Sequence, residues 1–217
     1  MSLEDPISSR IEDLPPFEIF DEFDFVNGTY TTERASNEVA IKHLSTHTSG
    51  LASNFNSTEI AAAGLPLTGA IGSDRFLLQH EPGEKWTHGP STNLIGELVE
   101  EISGKGLLKF MEYEIFTPLG MTKTFYTVPQ NSMDRVVTTH IKIGDNFMER
   151  PKPGQIIQPE ESHGVLSSTA RGYAKFMRLY LRSGAVDVGE NLLSPETIRL
   201  ITTNSIGSLK AAFQPSF

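Results

Sequence analysis

Apolar residues fall into three stretches of helical period along the chain, each ended by a residue that breaks a helix. Leu94, Ile95, Leu98, Val99 and Ile102 recur at the three-to-four spacing of one helix face. Pro90 suits the first helical position, because its missing N–H would have had no intrahelical partner, and Gly104 suits a left-handed stop after Ser103. The spacing therefore predicts an inward-facing helix over residues 90–103. Leu107, Leu108, Met111 and Ile115 share one side of a second helix, which Pro118 and Gly120 end. Tyr173, Phe176, Met177, Tyr180 and Leu181 stand at i, i+3, i+4, i+7 and i+8, which predicts a core-facing helix capped by Ser167 or Ser168 and stopped at Gly184. Shorter helices are expected over residues 41–47, closed by Ser49-Gly50, and from Ser194-Pro195-Glu196, where serine caps and proline starts the turn.

Strand signals are fewer. Residues 135–143 are rich in β-branched side chains and run into Gly144-Asp145-Asn146, which predicts a hairpin returning through Phe147-Met148 and broken by Pro151-Lys152-Pro153-Gly154. The aromatic and acidic run Phe17 to Phe25 fits neither a clean strand nor a clean helix. Pro15-Pro16 and Asn27-Gly28 flank it, so a packed surface loop is expected there, with a lid over a pocket as the functional alternative. No internal repeat is visible.

Composition narrows the classes. The chain has 217 residues, 38% hydrophobic and 21% charged, as ordinary globular proteins do. A net charge of −9 with scattered Lys and Arg argues against a nucleic-acid partner. With no cysteine there can be no disulfide, thiolate metal site or cysteine nucleophile. The first residues lack the basic start and apolar core of a secretory leader, and no stretch approaches the roughly 18 apolar residues of a membrane span. A soluble, cytoplasmic protein without a membrane partner is the expectation. Asn27-Gly28-Thr29 and Asn56-Ser57-Thr58 fit the glycosylation pattern and are read as chance.

Chemistry is sparse. His43 and His47 have the four-residue spacing of a two-histidine metal site, but Leu44 stands where a zinc hydrolase needs its glutamate, so no metal is expected. G-x-S-x-G, G-x-G-x-x-G and a P-loop are all absent.

Three stretches then carry a resemblance. One runs P-G-E-K-W from Pro82 to Trp86, through G-x-x-V-E-x-I-S-G at Gly96 to Gly104, to P-L-G-M-x-x-T at Pro118 to Thr124. His43 to Leu51 reads H-L-S-T-H-T-S-G-L, and His163 to Ala170 reads H-G-V-L-S-S-T-A. In order and spacing they resemble the serine β-lactamase and penicillin-binding-protein-like superfamily, class C type. Within it they look most like esterases and fungal polyketide transesterases.

That resemblance implies an α+β, β-lactamase/transpeptidase-like fold, of which this chain covers mainly the helix-rich middle with an incomplete antiparallel sheet. A single partial domain 1–217 is expected: a loop segment 1–40, a helical subdomain 41–134, a hairpin and loop 135–160 and helices 161–217. In the family, the stretch equivalent to Leu51–Gly72 is a variable loop region near the cleft. The resemblance also implies acyl transfer or ester hydrolysis through a serine acyl-enzyme. No cofactor is implied, and the partner would be a small-molecule acyl substrate of secondary-metabolite type. β-Lactam hydrolysis and peptidoglycan transpeptidation fit less well.

The family's serine sits in S-x-x-K, which puts a lysine amine beside the hydroxyl one helical turn away. Here the residues three before each lysine are Val39, Pro82, Ile102, Gly106, Gly120, Thr139, Glu149, Gly172 and Gly207. Asp5-Pro6-Ile7 resembles a segment that follows the nucleophile, which places its position before Met1. The wall strand with K-T-G or H-x-G is expected beyond Phe217. Alignment through Trp86 and Gly96 puts His88 where the family has its catalytic tyrosine, with Gly89 and Pro90 after it. Histidine can act as a general base near neutral pH, so His88 is the candidate catalytic residue, or else a polar residue of the cleft wall. The competing expectation is a catalytically inactive, truncated member with a binding or scaffolding role. Helices lacking their sheet would bare an apolar face and self-associate.

Overall fold

A computed structural model of the protein describes residues 1–51, 53–54, 57–64, 74–150, 166–187 and 189–211. The Pro151-Lys152-Pro153-Gly154 break, Asn56 and His163-Gly164-Val165 lie outside the described residues. So do residues 52, 55–56 and 65–72 of the expected loop region after Leu51. Contacts group the chain into two units, Met1–Leu107 with Asn204–Phe217, and Leu108–Thr203.

The first unit is built on a three-stranded sheet of order β2-β1-β3: β1 (Phe17–Asp24), β2 (Thr29–Arg34) and β3 (Phe76–Leu78). The expectation of a loop over Phe17 to Phe25 is overturned. The strand escaped a count of alternation because its register with β2 shifts between Phe20 and Glu22, so Asp21 is an extra residue. Such a bulge brings residues three apart onto one face. Phe20 and Phe23 therefore both look the same way, where Phe20 stacks on Tyr30 at 5.3 Å. On the other face Ile19 is buried and Phe17 stacks on Phe76 at 5.1 Å, its direct partner in the parallel β1–β3 ladder. The turn after β1 is tied by Asp24, whose carboxylate accepts from the Val26 and Asn27 amides and from the Asn27 side chain.

Over this sheet lie α1 (Ile41–Ser45) and α3 (Ser91–Ser103), with Leu44, Leu51, Leu94 and Leu98 joining Ile7, Ile19, Phe76 and Leu78 in one buried cluster. The helix over 90–103 forms as its spacing predicts, with Pro90 as the residue before the first turn and Gly104 left-handed at φ 63°. Leu94 and Leu98 point inward, whereas Ile102, at the last turn, is exposed. Within the expected loop region, α2 (Thr58–Ala62) is a short helix capped by Ser57, whose Oγ accepts from the Ile60 amide at 3.3 Å.

In the second unit α4 (Leu107–Met111) runs into a π-helical turn, Glu112–Phe116, whose end is held by the Thr117 amide on the Glu112 carbonyl at 2.9 Å. A wider turn of this kind shifts the helix face by part of a turn. Phe116, Leu119 and Met121 become the buried residues, Met111 and Ile115 pack on them partly exposed, and Leu108 is exposed. The hairpin forms, but its first strand starts at His140 and not near residue 135, where a 3-10 helix Gln130–Arg135 ends: β4 (His140–Ile143) pairs with β5 (Asn146–Glu149), Ile143 opposite Asn146.

α5 (Ala170–Leu181) corrects its expectation in two respects. Its cap is Thr169, whose Oγ1 accepts from the Gly172 amide at 3.0 Å, in place of Ser167 or Ser168. Its buried face centres on Leu179, flanked by Phe176 and Tyr180, while Tyr173, Met177 and Leu181 are 57%, 54% and 84% exposed. The five-residue apolar stripe is thus split between core and surface. α6 (Pro195–Ile201) starts as expected, with Ser194 accepting from the Thr197 amide at 3.1 Å and Ile198 buried.

Candidate functional site

The candidate residues lie in the first unit, where the segment after α1 is locked between two other stretches of chain. His47 leaves the helix with φ 56°, a left-handed conformation that is uncommon outside glycine. Its carbonyl accepts from the Thr87 amide at 2.8 Å, the Thr48 carbonyl accepts from Gly83 at 2.8 Å, and the Gly50 carbonyl accepts from Gln79 at 2.7 Å. Side chains finish the lock. Ser49 and Ser91, both fully buried, share a hydrogen bond of 2.8 Å, and Ser49 Oγ also accepts from the Leu51 amide at 3.3 Å.

The glycines are there for closeness. A Cβ on Gly50 would sit 2.3 Å from the His80 carbonyl oxygen, and one on Gly89 would sit 2.2 Å from that of Leu51. The H-T-S-G run at residues 47–50 and the Gly89-Pro90-Ser91 run are therefore two halves of one backbone clamp. Their product is a rigid presentation of residues 86–88.

Thr87 turns inward, buried, with its Oγ1 2.8 Å from His80 Nε2. His80 Nδ1 donates to the Glu81 carbonyl at 2.9 Å, so Nε2 is left to accept the threonine proton. Trp86 and His88 turn the other way. Their rings lie 6.4 Å apart and within 16° of parallel, and His88 is exposed. The ring of His47 stands edgewise to both, 5.7 Å from Trp86 and 5.2 Å from His88. His47 Nδ1 is buried and has no hydrogen-bond partner among the described residues.

Burial sets the protonation of this group. Desolvation holds His47 below the ordinary imidazole range, and the nearby His88 pushes it further down. Desolvation likewise lowers His43, against the attraction of Glu4, and lowers His80, against its bond to the Glu81 carbonyl. The Glu81 carboxylate accepts from the Ser36 and Asn37 amides at 2.8 and 3.1 Å and is held below the usual carboxylate range by the first of these.

His43 and His47 do not act as a helical pair. His43 Nδ1 accepts from the Ala40 amide at 3.1 Å, and His47 has left the helix for Trp86 and His88. Among the described residues no cluster of three or more His, Asp or Glu could hold a metal ion. His80 went unnoticed in the sequence. Its signal was there, since the Pro82-Gly83 turn between His80 and Thr87 folds the two toward each other. In the second unit, Leu166 to Ala170 are the described part of the H-G-V-L-S-S-T-A run; Ser167 bridges Phe125 through two backbone bonds, and Ser168 Oγ meets Thr124 Oγ1 at 2.8 Å.

A small sheet and helices laid on it define an α+β protein of β-lactamase/transpeptidase type. The Beta-lactamase family model matches residues 1–212, and the chain belongs to that family. It is 30% identical over 95% of its length to Protein Rv1367c of Mycobacterium tuberculosis strain H37Rv, of which it covers 54%. Over 60% of its length it is 27% identical to the ML-236A carboxylate methylbutanoyltransferase mlcH of Penicillium citrinum, covering 32% of that protein. Its fold is similar to a LovD6 mutant of the simvastatin synthase of Aspergillus terreus, with a TM-score of 0.72 at 23% identity, covering 92% of this chain and 49% of the other. The chain thus spans about half the length of the first of these relatives and less of the second.

Proposed function

We propose that the protein works in acyl transfer, as an acyltransferase or acyl hydrolase on a small ester or thioester, and that His88 is the base of its site. One observation carries the reading: the loop that bears His88, which the resemblance aligns with the family's catalytic tyrosine, is clamped by Ser49, Gly50, Gly89 and Ser91. Rigid presentation is what an acid–base group needs to lie within reach of a proton during reaction. In this reading a serine hydroxyl attacks the acyl carbonyl and its proton passes to His88. The imidazolium then returns the proton to the departing alcohol or thiol. An acceptor alcohol or water releases the acyl group by the reverse steps, with His88 again taking the proton.

A methylbutanoyltransferase among the relatives supports an alkyl acyl group and a secondary-metabolite acceptor as the substrate class. A soluble, cytoplasmic setting belongs to the same reading. Among the described residues no helix is long and apolar enough to cross a membrane. A second reading, a scaffold without chemistry, is favoured by the lysines, none of which has serine three residues before it.

The test is intact mass and product release after mixing the 217-residue chain with a short-chain acyl thioester, beside His88→Ala. An adduct on one serine with turnover, both lost in His88→Ala, would support the enzymatic reading and supply the nucleophile that no S-x-x-K in this sequence marks. No adduct and no turnover would sink the enzymatic reading and leave the scaffold.

A further inference from the structure

His47 Nδ1 is buried without a hydrogen-bond partner among the described residues, unlike the ring nitrogens of His43 and His80. His43 spends Nδ1 on the Ala40 amide, and His80 uses both nitrogens on Glu81 and Thr87. His47 Nδ1 is buried and unpartnered, and the ring is instead placed by contact: edgewise to His88 at 5.2 Å and to Trp86 at 5.7 Å. That placement is costly to maintain, since it needs a left-handed backbone at a β-carbon-bearing residue. The Thr87 amide on the His47 carbonyl fixes the distance between the two stretches from below. Two imidazoles this close repel when both are charged, and a proton on the buried Nδ1 would find no acceptor there.

We propose that His47 and His88 form a single acid–base unit, in which the pair carries one proton at a time and His47 holds the His88 ring in position. His88 is then held by its neighbour: once it takes a proton, His47 stays neutral, and the edge-on contact keeps the charged ring aimed until the proton passes to the leaving group. The surrounding charges leave this arrangement alone. On α1, which ends just before His47, Lys42 pairs with Glu4, and the charge acting on His47 is that of His88. From the Glu81–Trp86 turn, Glu84 and Lys85 bear on His80, and the Glu81 carboxylate is engaged by Ser36 and Asn37. The catalytic use of the pair rests on the acyl-transfer reading above, whereas the pairing itself does not.

The pairing is measured without any acyl transfer. The imidazole resonances of the 217-residue chain, carrying isotope-labelled histidine, are followed from about pH 8 down through the imidazole range. In His88→Gln the His47 midpoint is expected to move up, and in His140→Gln, altered on the exposed hairpin, it stays in place. An unmoved His47 midpoint in folded His88→Gln overturns the proposal. Trp86 is the only tryptophan and touches both rings, so its emission, quenched by a neighbouring imidazolium, provides a second measurement on the unaltered chain. A single quenching step for one proton in the neutral range is expected, and two protons taken up in one step would overturn the pairing. Linked titration in a chain that transfers no acyl group would keep the pair and sink the enzymatic reading. Transfer that needs His88, with no linkage to His47, would sink the pair alone. Where transfer is found, His47→Asn should lower kcat with little change in KM.

Discussion

At Gly89 the chain passes so close to Leu51 that no β-carbon fits, and the cost of adding one can be read directly. Gly89→Ala is expected to lower stability by about 1–3 kcal/mol, as overpacking against a fixed backbone does, measured by urea denaturation; an unchanged midpoint would mean the clamp is loose. Ser49→Ala should cost about 1–3 kcal/mol by leaving a buried hydroxyl short of a partner. With Ser91→Ala added, the total should be less than the sum of the single losses, because the second change removes the stranded group. The H-T-S-G run was legible in the sequence as a family pattern, but its role was not. Serine and glycine there could as well have met a ligand; only the bond from Ser49 to Ser91, forty-two residues away, shows them holding the loop. His43 and His47 look equivalent in sequence and differ only because the helix ends between them.

The same residues set a pH dependence. His43, His47 and His80 are all held below the ordinary imidazole value, burial being the largest cause in each. Well above about pH 6.5 folded and unfolded chains are both neutral at these positions, so stability is flat there. As pH falls below that value the unfolded chain takes up protons that the folded chain refuses, and stability drops. Asp5, Asp24 and Glu81 have lowered values of their own, so their contribution is lost only at more acid pH, below the ordinary carboxylate range. Urea midpoints should therefore decline in two stages on acidification, the first from the lowered histidines and the second from Asp5, Asp24 and Glu81. A midpoint constant between about pH 7 and pH 5 would contradict the burial of the three rings.

Elements were legible where a single period ran unbroken. α3 forms between the residues its spacing predicts, because Leu94 and Leu98 keep one face and Gly104 ends it. β1 was not legible, because the extra residue at Asp21 changes the phase of the alternation halfway along. The turn after α4 failed in a similar way: one π-helical turn moves the buried set on to Phe116, Leu119 and Met121. α5 shows the remaining difficulty, since its aromatic stripe is wide enough to face two ways. Leu179→Ala should then cost about 2–5 kcal/mol, as core truncations do, while Met177→Gln should stay within about 0.5 kcal/mol, as surface changes do. Equal losses at the two positions would return the helix to the orientation its stripe predicted.

At the scale of the whole molecule, the fold class was readable from three ordered patterns, whereas the amount of apolar surface left on view was not. The stripe of Tyr173, Met177 and Leu181 stands one turn apart along α5, with its side chains mostly in solvent. The hairpin adds Ile141 and Ile143 on β4, and Phe147 and Met148 on β5, all exposed. Soluble monomers seldom show contiguous apolar patches beyond a few hundred Å2, and on this two-stranded ribbon Ile141, Ile143 and Met148 share one face while Phe147, paired to Lys142, stands on the other. Such a ribbon has both backbone edges unpaired among the described residues, which favours association as much as its side chains do. Sedimentation velocity on the 217-residue chain should therefore show mass rising with concentration, and the rise should weaken in Met177→Glu with Leu181→Glu, which charge the stripe without touching Leu179. A second pair, Ile143→Lys with Phe147→Lys, charges the hairpin instead. If only the first pair acts, association runs through the helix; if only the second acts, it runs through the ribbon. A chain that sediments as one monomer at every concentration, with a single sharp unfolding transition, would mean that this apolar surface is tolerated in water and drives nothing.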